Sequence, residues 1–173
     1  ASLIARPAMS LAPSPSQPDA RPADADATAA HPDWGWPVLR LGFRPFYLGA
    51  AAFALISIPL WLLMWSGMTA MQPTLAPLLW HAHEILYGFA IAVIVGFLLT
   101  AVRAWTGLDT PRGPFLGALA LLWLAARIAA LSGPYVISAV LDVALLPVVA
   151  VVLLRVLLRA KNTRNLPLAG ILV

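Results

Sequence analysis

The chain has 173 residues, of which 61% are hydrophobic and only 10% charged, and its mean hydropathy is +0.87. Soluble domains average about 45–50% apolar and about 25% charged residues, so this composition excludes a soluble globular enzyme and a disordered chain. The net charge of +4 does not indicate a nucleic-acid partner, because the basic residues flank apolar segments. The lack of cysteine excludes disulfides, thiolate metal sites and covalently attached c-type haem.

Residues 1–38 form a segment rich in proline and alanine that differs from the rest of the chain. They contain seven of the sixteen prolines and four of the seven acidic residues. Neither a helical nor a strand period survives this many prolines, and the segment has too little apolar surface to offset its chain entropy. We therefore expect a disordered leader, in which His31 is simply solvated.

Residues 39–173 contain four apolar segments that are each long enough to cross a bilayer as a helix, at about 46–65, 78–102, 114–131 and 135–157. A fifth apolar run starts at residue 166 and is too short to span before the chain stops. The sequence predicts an all-α, polytopic transmembrane helix bundle with four complete spans and a truncated fifth. We expect it to be the N-terminal portion of a longer membrane protein.

The basic residues predict the orientation of these spans. They lie before the first span, between the second and third, and after the fourth, at Arg40, Arg44, Arg103, Arg112, Arg155, Arg159, Lys161 and Arg164. The other two loops carry no charge, so the positive-inside rule predicts a cytoplasmic N-terminus and leader. Aromatic residues are then expected at the outer interface (Trp61, Trp65, Trp80 and Tyr135) and at the inner one (Trp34, Trp36 and Trp105).

Five ionisable residues lie at membrane depth, where an unpaired charge costs several kcal/mol, which makes them candidates for function. They are His81, His83 and Glu84 at the start of the second span, Arg127 in the third and Asp142 in the fourth. Arg127 and Asp142 lie at similar depth on adjacent helices, so one hypothesis is a structural ion pair between them. The alternative is that Arg127 meets Glu84 or a carboxylate of a cofactor.

The two histidines are candidate ligands of a metal or a haem. On a regular helix they point about 200° apart, so they do not chelate one metal together. His81 shares a predicted face with Glu84 and with a ridge of small residues that allows close approach of a helix or a flat macrocycle, formed by Gly88, Ala92, Gly96 and Thr100. The alternative is that both histidines only anchor a helix end at the membrane interface beside Trp80.

Three methionines fall at helical spacing near the end of the first span, at Met64, Met68 and Met71. Thioethers can bind Cu(I), although methionine in an apolar span more often serves packing. Their contribution to a copper site is left open.

Several motifs together resemble the NnrS family of bacterial membrane proteins. They are Leu-Gly-Phe-Arg-Pro-Phe at 41–46, Trp-His-Ala-His-Glu at 80–84, Gly-Phe-Leu-Leu-Thr-Ala-Val at 96–102, Trp-Thr-Gly at 105–107 and Arg-Asn-Leu-Pro at 164–167. Arg103-Ala104 stands where the family commonly has Pro-Asn. The resemblance implies a multi-pass protein of the cytoplasmic membrane, linked to the nitric oxide response and containing haem and copper. It favours His81 and His83 as ligands.

Three functions remain open at this stage. The first is a haem/copper protein that meets nitric oxide, with Glu84 supporting the ligands. The second is an ion or proton transporter or channel in which Glu84, Arg127 and Asp142 line a polar path. The third is a structural membrane subunit held together by Arg127 and Asp142. The sequence decides neither whether the protein is an enzyme nor its oligomeric state.

Overall fold

A computed structural model describes residues 36–71, 73–170 and 172, and in this part of the chain all regular structure is helical. The described residues contain six α-helices: α1 Phe43–Trp65, α2 Pro77–His83, α3 Ile91–Thr106, α4 Gly113–Ser132, α5 Tyr135–Arg159 and α6 Leu166–Gly170. A π-helical segment, Glu84–Ala90, joins α2 to α3 without a break. Short 3-10 turns occupy Pro37–Leu39 and Thr163–Asn165.

The prediction of an all-α bundle with four spans is confirmed. Within the described residues, four helices are long and apolar enough to cross a membrane: Phe43–Trp65, Pro77–Thr106, Gly113–Ser132 and Tyr135–Arg159. Below, Pro77–Thr106 is called the second span. The helix α6 starts at Leu166, where the fifth apolar run begins. The predicted leader lies outside the described residues, apart from its last three positions.

Local chemistry sets the helix ends. Helix α1 stops before Ser66, whose hydroxyl donates to the carbonyl of Leu62 at 2.7 Å, and Gly67 then adopts a φ of +69°. Helix α3 stops at Gly107, which takes the left-handed conformation that favours glycine after a helix. Ser132, Gly133 and Pro134 make the tight turn between α4 and α5. The helix ends and turns therefore lie between the apolar segments rather than within them.

The helices pack into one bundle around an apolar core. Helix α1 runs along α3, α4 runs along α5, and α3 and α5 bring the two pairs together. The buried core includes Phe46, Ala92, Val95, Leu99, Leu116, Trp123, Leu145, Val149 and Leu153. The outward faces remain apolar, as at Leu55 and Val136, which are 76% and 69% exposed. Such a surface is expected where lipid, rather than water, surrounds the protein.

The structure places the loops as the charge pattern requires. At one end, the Thr74 hydroxyl of the first uncharged loop donates to the carbonyl of Gly133 in the other, at 3.3 Å. At the opposite end, Asp109 lies 3.4 Å from the Arg103 guanidinium and 2.5 Å from that of Arg112. Charged and uncharged loops therefore lie at opposite ends of the bundle. The side of the membrane that each end faces stays a prediction.

The ridge of small residues on the second span is covered by a helix. A Cβ atom added to Gly88 would lie 2.3 Å from the Phe53 ring of α1, and one added to Gly96 would lie 2.9 Å from the Tyr47 ring. Ala92, between them, is fully buried. Of the two predicted occupants of this ridge, a helix or a macrocycle, it is helix α1 that occupies it.

Replacement of Gly88 by alanine is expected to destabilise the bundle, because the added methyl group needs the space that the Phe53 ring fills. Overpacking of this kind costs about 1–3 kcal/mol. Thermal unfolding of the purified protein in detergent measures the effect. Gly117→Ala is the matched control, since its Cβ would meet only Leu39 at 3.4 Å, an ordinary contact. Equal melting temperatures for the two variants would contradict the expectation.

Candidate functional site

The guanidinium of Arg127 joins three helical segments within the apolar bundle. Its Nη1 donates to Oε2 of Glu84 at 2.8 Å, and its Nη2 donates to Oδ1 of Asp142. All three residues are at least 95% buried. Arg127 lies on α4, Asp142 on α5 and Glu84 at the first position of the π-helical segment, so this one side chain links the second span to both following helices.

His83 completes this group, which we call the ion-pair cluster: His83, Glu84, Arg127 and Asp142. Its Nδ1 donates to Oε1 of Glu84 at 2.9 Å, and its Nε2 lies 3.4 Å from Oδ2 of Asp142. The Nε2–Oδ2 contact is an ion-pair distance rather than a hydrogen bond, and Oδ2 of Asp142 has no hydrogen-bond partner. The cluster thus brings two carboxylates and one guanidinium together with one imidazole.

Aromatic rings hold His83 in this position. The Tyr87 ring, four residues further along, stacks on the imidazole with 4.8 Å between centroids, and Tyr135 of α5 approaches edge-on at 6.5 Å. The imidazole is therefore enclosed by two carboxylates at its edges and by a phenol at one face. The position of Tyr87, one helical turn beyond His83, is the sequence signal that could have identified it.

His81 lies in a different environment. Its imidazole stacks on the indole of Trp61 from α1, with 4.0 Å between centroids and 13° between planes. It is half-buried, and among the described residues neither ring nitrogen has a hydrogen bond or an ion pair. Trp61 was predicted only as an interface aromatic, and nothing in the sequence pairs it with His81.

His81 and Glu84, which are predicted to share a face of the second span, contact different helices. His81 meets α1, whereas Glu84 meets Arg127 on α4. The wider π-helical turns begin at Glu84, after the α-helical turn that separates the two residues. Within the π-helical segment, the carbonyl of Gly88 accepts a hydrogen bond from the Trp123 indole at 2.9 Å.

Two further expectations need correction. Trp80, predicted at the outer interface, is only 1% exposed and packs inside the protein. The helical spacing of the methionines does not hold either, because α1 ends at Trp65. Met64 is buried on the helix, while Met68 and Met71 lie beyond it, 75% and 43% exposed.

The alternatives for Arg127 both describe real contacts, because it pairs with Asp142 and with Glu84 at once. The candidate residues thus divide into two groups, the ion-pair cluster and the stacked His81. Within residues 36–71, 73–170 and 172, no three histidine, cysteine or acidic side chains are arranged to hold a metal ion.

Comparison with known proteins identifies the family. The family model described as NnrS protein matches residues 37–173, which is nearly the whole helical region. This chain belongs to the NnrS family. No curated protein and no solved structure matches it significantly. Family membership agrees with the order of motifs along the spans, including the His-Ala-His-Glu segment at 81–84.

Replacement of Arg127 by leucine is expected to destabilise the protein strongly, because it leaves two buried carboxylates without their cation. Breaking a buried ion pair in this way costs about 3–5 kcal/mol. Arg103→Leu is the matched control, since that side chain is 44% exposed and its pair with Asp109 is worth about 0–1 kcal/mol. Denaturant titration in detergent micelles measures both.

A second comparison isolates the charge. In a Glu84→Gln, Asp142→Asn background the buried carboxylates are already neutral, so the cost of Arg127→Leu is expected to be much smaller. An undiminished cost in that background would show that packing, rather than ion pairing, makes Arg127 important.

Proposed function

We propose that this member of the NnrS family binds haem, copper or both at the end of the bundle that carries His81 and His83, and acts in the response to nitric oxide. The observation that carries the proposal is the His81 imidazole. It is half-buried among helices, fixed by Trp61 and without a hydrogen bond among the described residues. An imidazole that is fixed in orientation and has no hydrogen bond at its ring nitrogens is available to bind a metal or a haem iron. The proposed location is the cytoplasmic membrane of a bacterium, with the N-terminus inside.

A haem is compatible with these residues. One imidazole with a free ring nitrogen is enough to supply an axial ligand, and His81 meets that requirement. His83 is the second candidate, although both of its nitrogens face carboxylates in this arrangement. A haem iron bound by one imidazole would supply an open coordination position for a small neutral ligand.

Copper fits the described residues less fully. Imidazole and thioether are suitable donors, and His81 and the buried Met64 are present at this end of the bundle. Within the described part of the chain, no three histidine, cysteine or acidic side chains add a metal-binding group to these two donors. A copper site here therefore needs donors beyond those described.

The surroundings suit nitric oxide as a ligand. Nitric oxide is small and uncharged, so it can enter an apolar bundle through lipid. The outward faces of the helices are apolar, and the charges of the cluster are paired with one another inside. The protein's own contribution would be to orient the imidazole and to exclude water from its neighbourhood.

The decisive experiment is the haem and copper content of the purified full-length protein. We expect haem, with a Soret band, and copper by elemental analysis, and we expect the His81→Ala, His83→Ala double variant to lose most of the bound haem. His31→Ala, which changes the third histidine of the chain, is the matched control and should leave the content unchanged. Wild-type protein without haem or copper would refute the proposal.

The bridging geometry of Arg127 favours a second, structural role for the ion-pair cluster. It ties the second span to α4 and α5 at one point. The transporter hypothesis stays a prediction; its three ionisable residues pair with one another here.

For the structural role we expect Asp142→Ala to lower the yield of folded, membrane-inserted protein at least several-fold. The cofactor content per folded molecule should change little. Asp109→Ala is the matched control, because that carboxylate is 65% exposed. Gel filtration in detergent measures the folded fraction, and a normal yield for Asp142→Ala would exclude this role.

A further inference from the structure

We infer that the two histidines have different roles: His81 is the ligand of the prosthetic group and Trp61 is its positioning residue, whereas His83 belongs to the ion-pair cluster and binds no haem. The inference rests on the proposed function and makes it specific. It treats as unequal two residues that the sequence presents as equivalent.

The contacts of His83 leave no room for an iron-bound macrocycle. The hydrogen bond from its Nδ1 to Glu84 would by itself suit a ligand, because metal-binding histidines commonly donate their other nitrogen to a carboxylate. The remaining nitrogen decides the matter. Nε2 has the Asp142 carboxylate 3.4 Å away, in the space that the face of a haem would have to occupy.

Asp142 cannot easily leave that space. Its other oxygen accepts from Arg127, which also binds Glu84, and the side chains of all three residues are only 2–4% exposed. The Tyr87 ring against the imidazole restricts rotation of His83 in the other direction. To expose Nε2, the protein would have to separate buried charges that neutralise one another.

His81 has the opposite arrangement. Stacking with Trp61 covers a face of the ring, but the lone pair of an imidazole nitrogen lies in the plane of the ring and stays available. The Trp61 ring also contacts the Trp65 ring, with 6.3 Å between centroids, and its indole Nε1 is buried without a hydrogen-bond partner. A flat stack of this kind fixes the ring plane, and hence the direction from which a metal can be bound.

The ion-pair cluster also helps to fix the helix that carries His81. Glu84 is three residues further along the same continuous helix and is tied to α4, while Trp61 ties His81 to α1. The helix that carries His81 is therefore fixed on both sides. This predicts that loss of His83 affects the stability of the site but not the identity of its ligand.

The test compares His81→Ala with His83→Asn in the purified full-length protein. Asparagine keeps a donor near the Nδ1 position of His83 but cannot replace an imidazole ligand. We expect folded His81→Ala protein to contain at least ten-fold less haem per molecule than the wild type. Added imidazole should restore its Soret band. We expect His83→Asn to keep its haem within two-fold, with an unchanged absorption and paramagnetic resonance spectrum.

Each outcome has a separate meaning. If the wild type binds neither haem nor copper, the proposed function fails. If the wild type binds haem but His83→Asn loses it and imidazole restores it, the proposed function stands and the division of roles is wrong. If His83→Asn does not fold, His83→Gln tests the same point, because it also keeps an amide donor and removes the imidazole. Loss of haem from folded His83→Gln protein, with recovery on addition of imidazole, would likewise overturn the division.

The positioning role of Trp61 has its own readout. Trp61→Leu should keep the ligand but loosen its orientation, giving an altered resonance spectrum and at least three-fold faster haem dissociation. Trp61→Phe should keep a resonance spectrum and a haem dissociation rate close to those of the wild type, because it retains a flat ring at this position. Trp105→Leu is the matched control at another position. Identical spectra and dissociation rates for Trp61→Leu and the wild type would exclude this role.

Discussion

The bundle depends on one buried arginine. Among apolar helices an unpaired guanidinium is strongly unfavourable, and so is each unpaired carboxylate. Arg127 has two carboxylate partners, Glu84 and Asp142, on two different helical segments. Because lipid offers no compensating hydrogen bonds, these pairs restrict how α4, α5 and the second span can be arranged. Apolar packing alone would allow many arrangements of these helices. Only a few of those arrangements bring Arg127 together with both carboxylates.

A π-helical segment lies next to the ion-pair cluster. It starts at Glu84, directly after the two histidines, and ends at Ala90. Its Gly88 carbonyl accepts a hydrogen bond from the Trp123 indole, which joins this segment to α4. Segments of this kind are frequent at functional sites, and here the segment adjoins the ionisable residues of the candidate site.

The separation of the two histidines changes how the family motif is understood. In the sequence alone, the His-Ala-His-Glu motif suggests a compact group of ligands. In the fold, the second histidine and the glutamate join the ion-pair cluster, and the first histidine stacks on an indole from another helix. The ion-pair cluster and the proposed ligand His81 thus lie side by side on one continuous helix, which the cluster ties to α4 and α5.

The sequence by itself determined the class of protein, the four spans and the segregation of charged and uncharged loops. These depend on length, hydropathy and the cost of charge in lipid, which are properties of single segments. It also singled out Glu84, Arg127 and Asp142, because a charge at membrane depth needs a partner wherever that partner lies. Only the tertiary structure decided that Arg127 has two partners, that Trp80 is buried and that His81 lies on Trp61. These contacts join residues 15 to 43 positions apart on different helices, so no periodicity within one span could have predicted them.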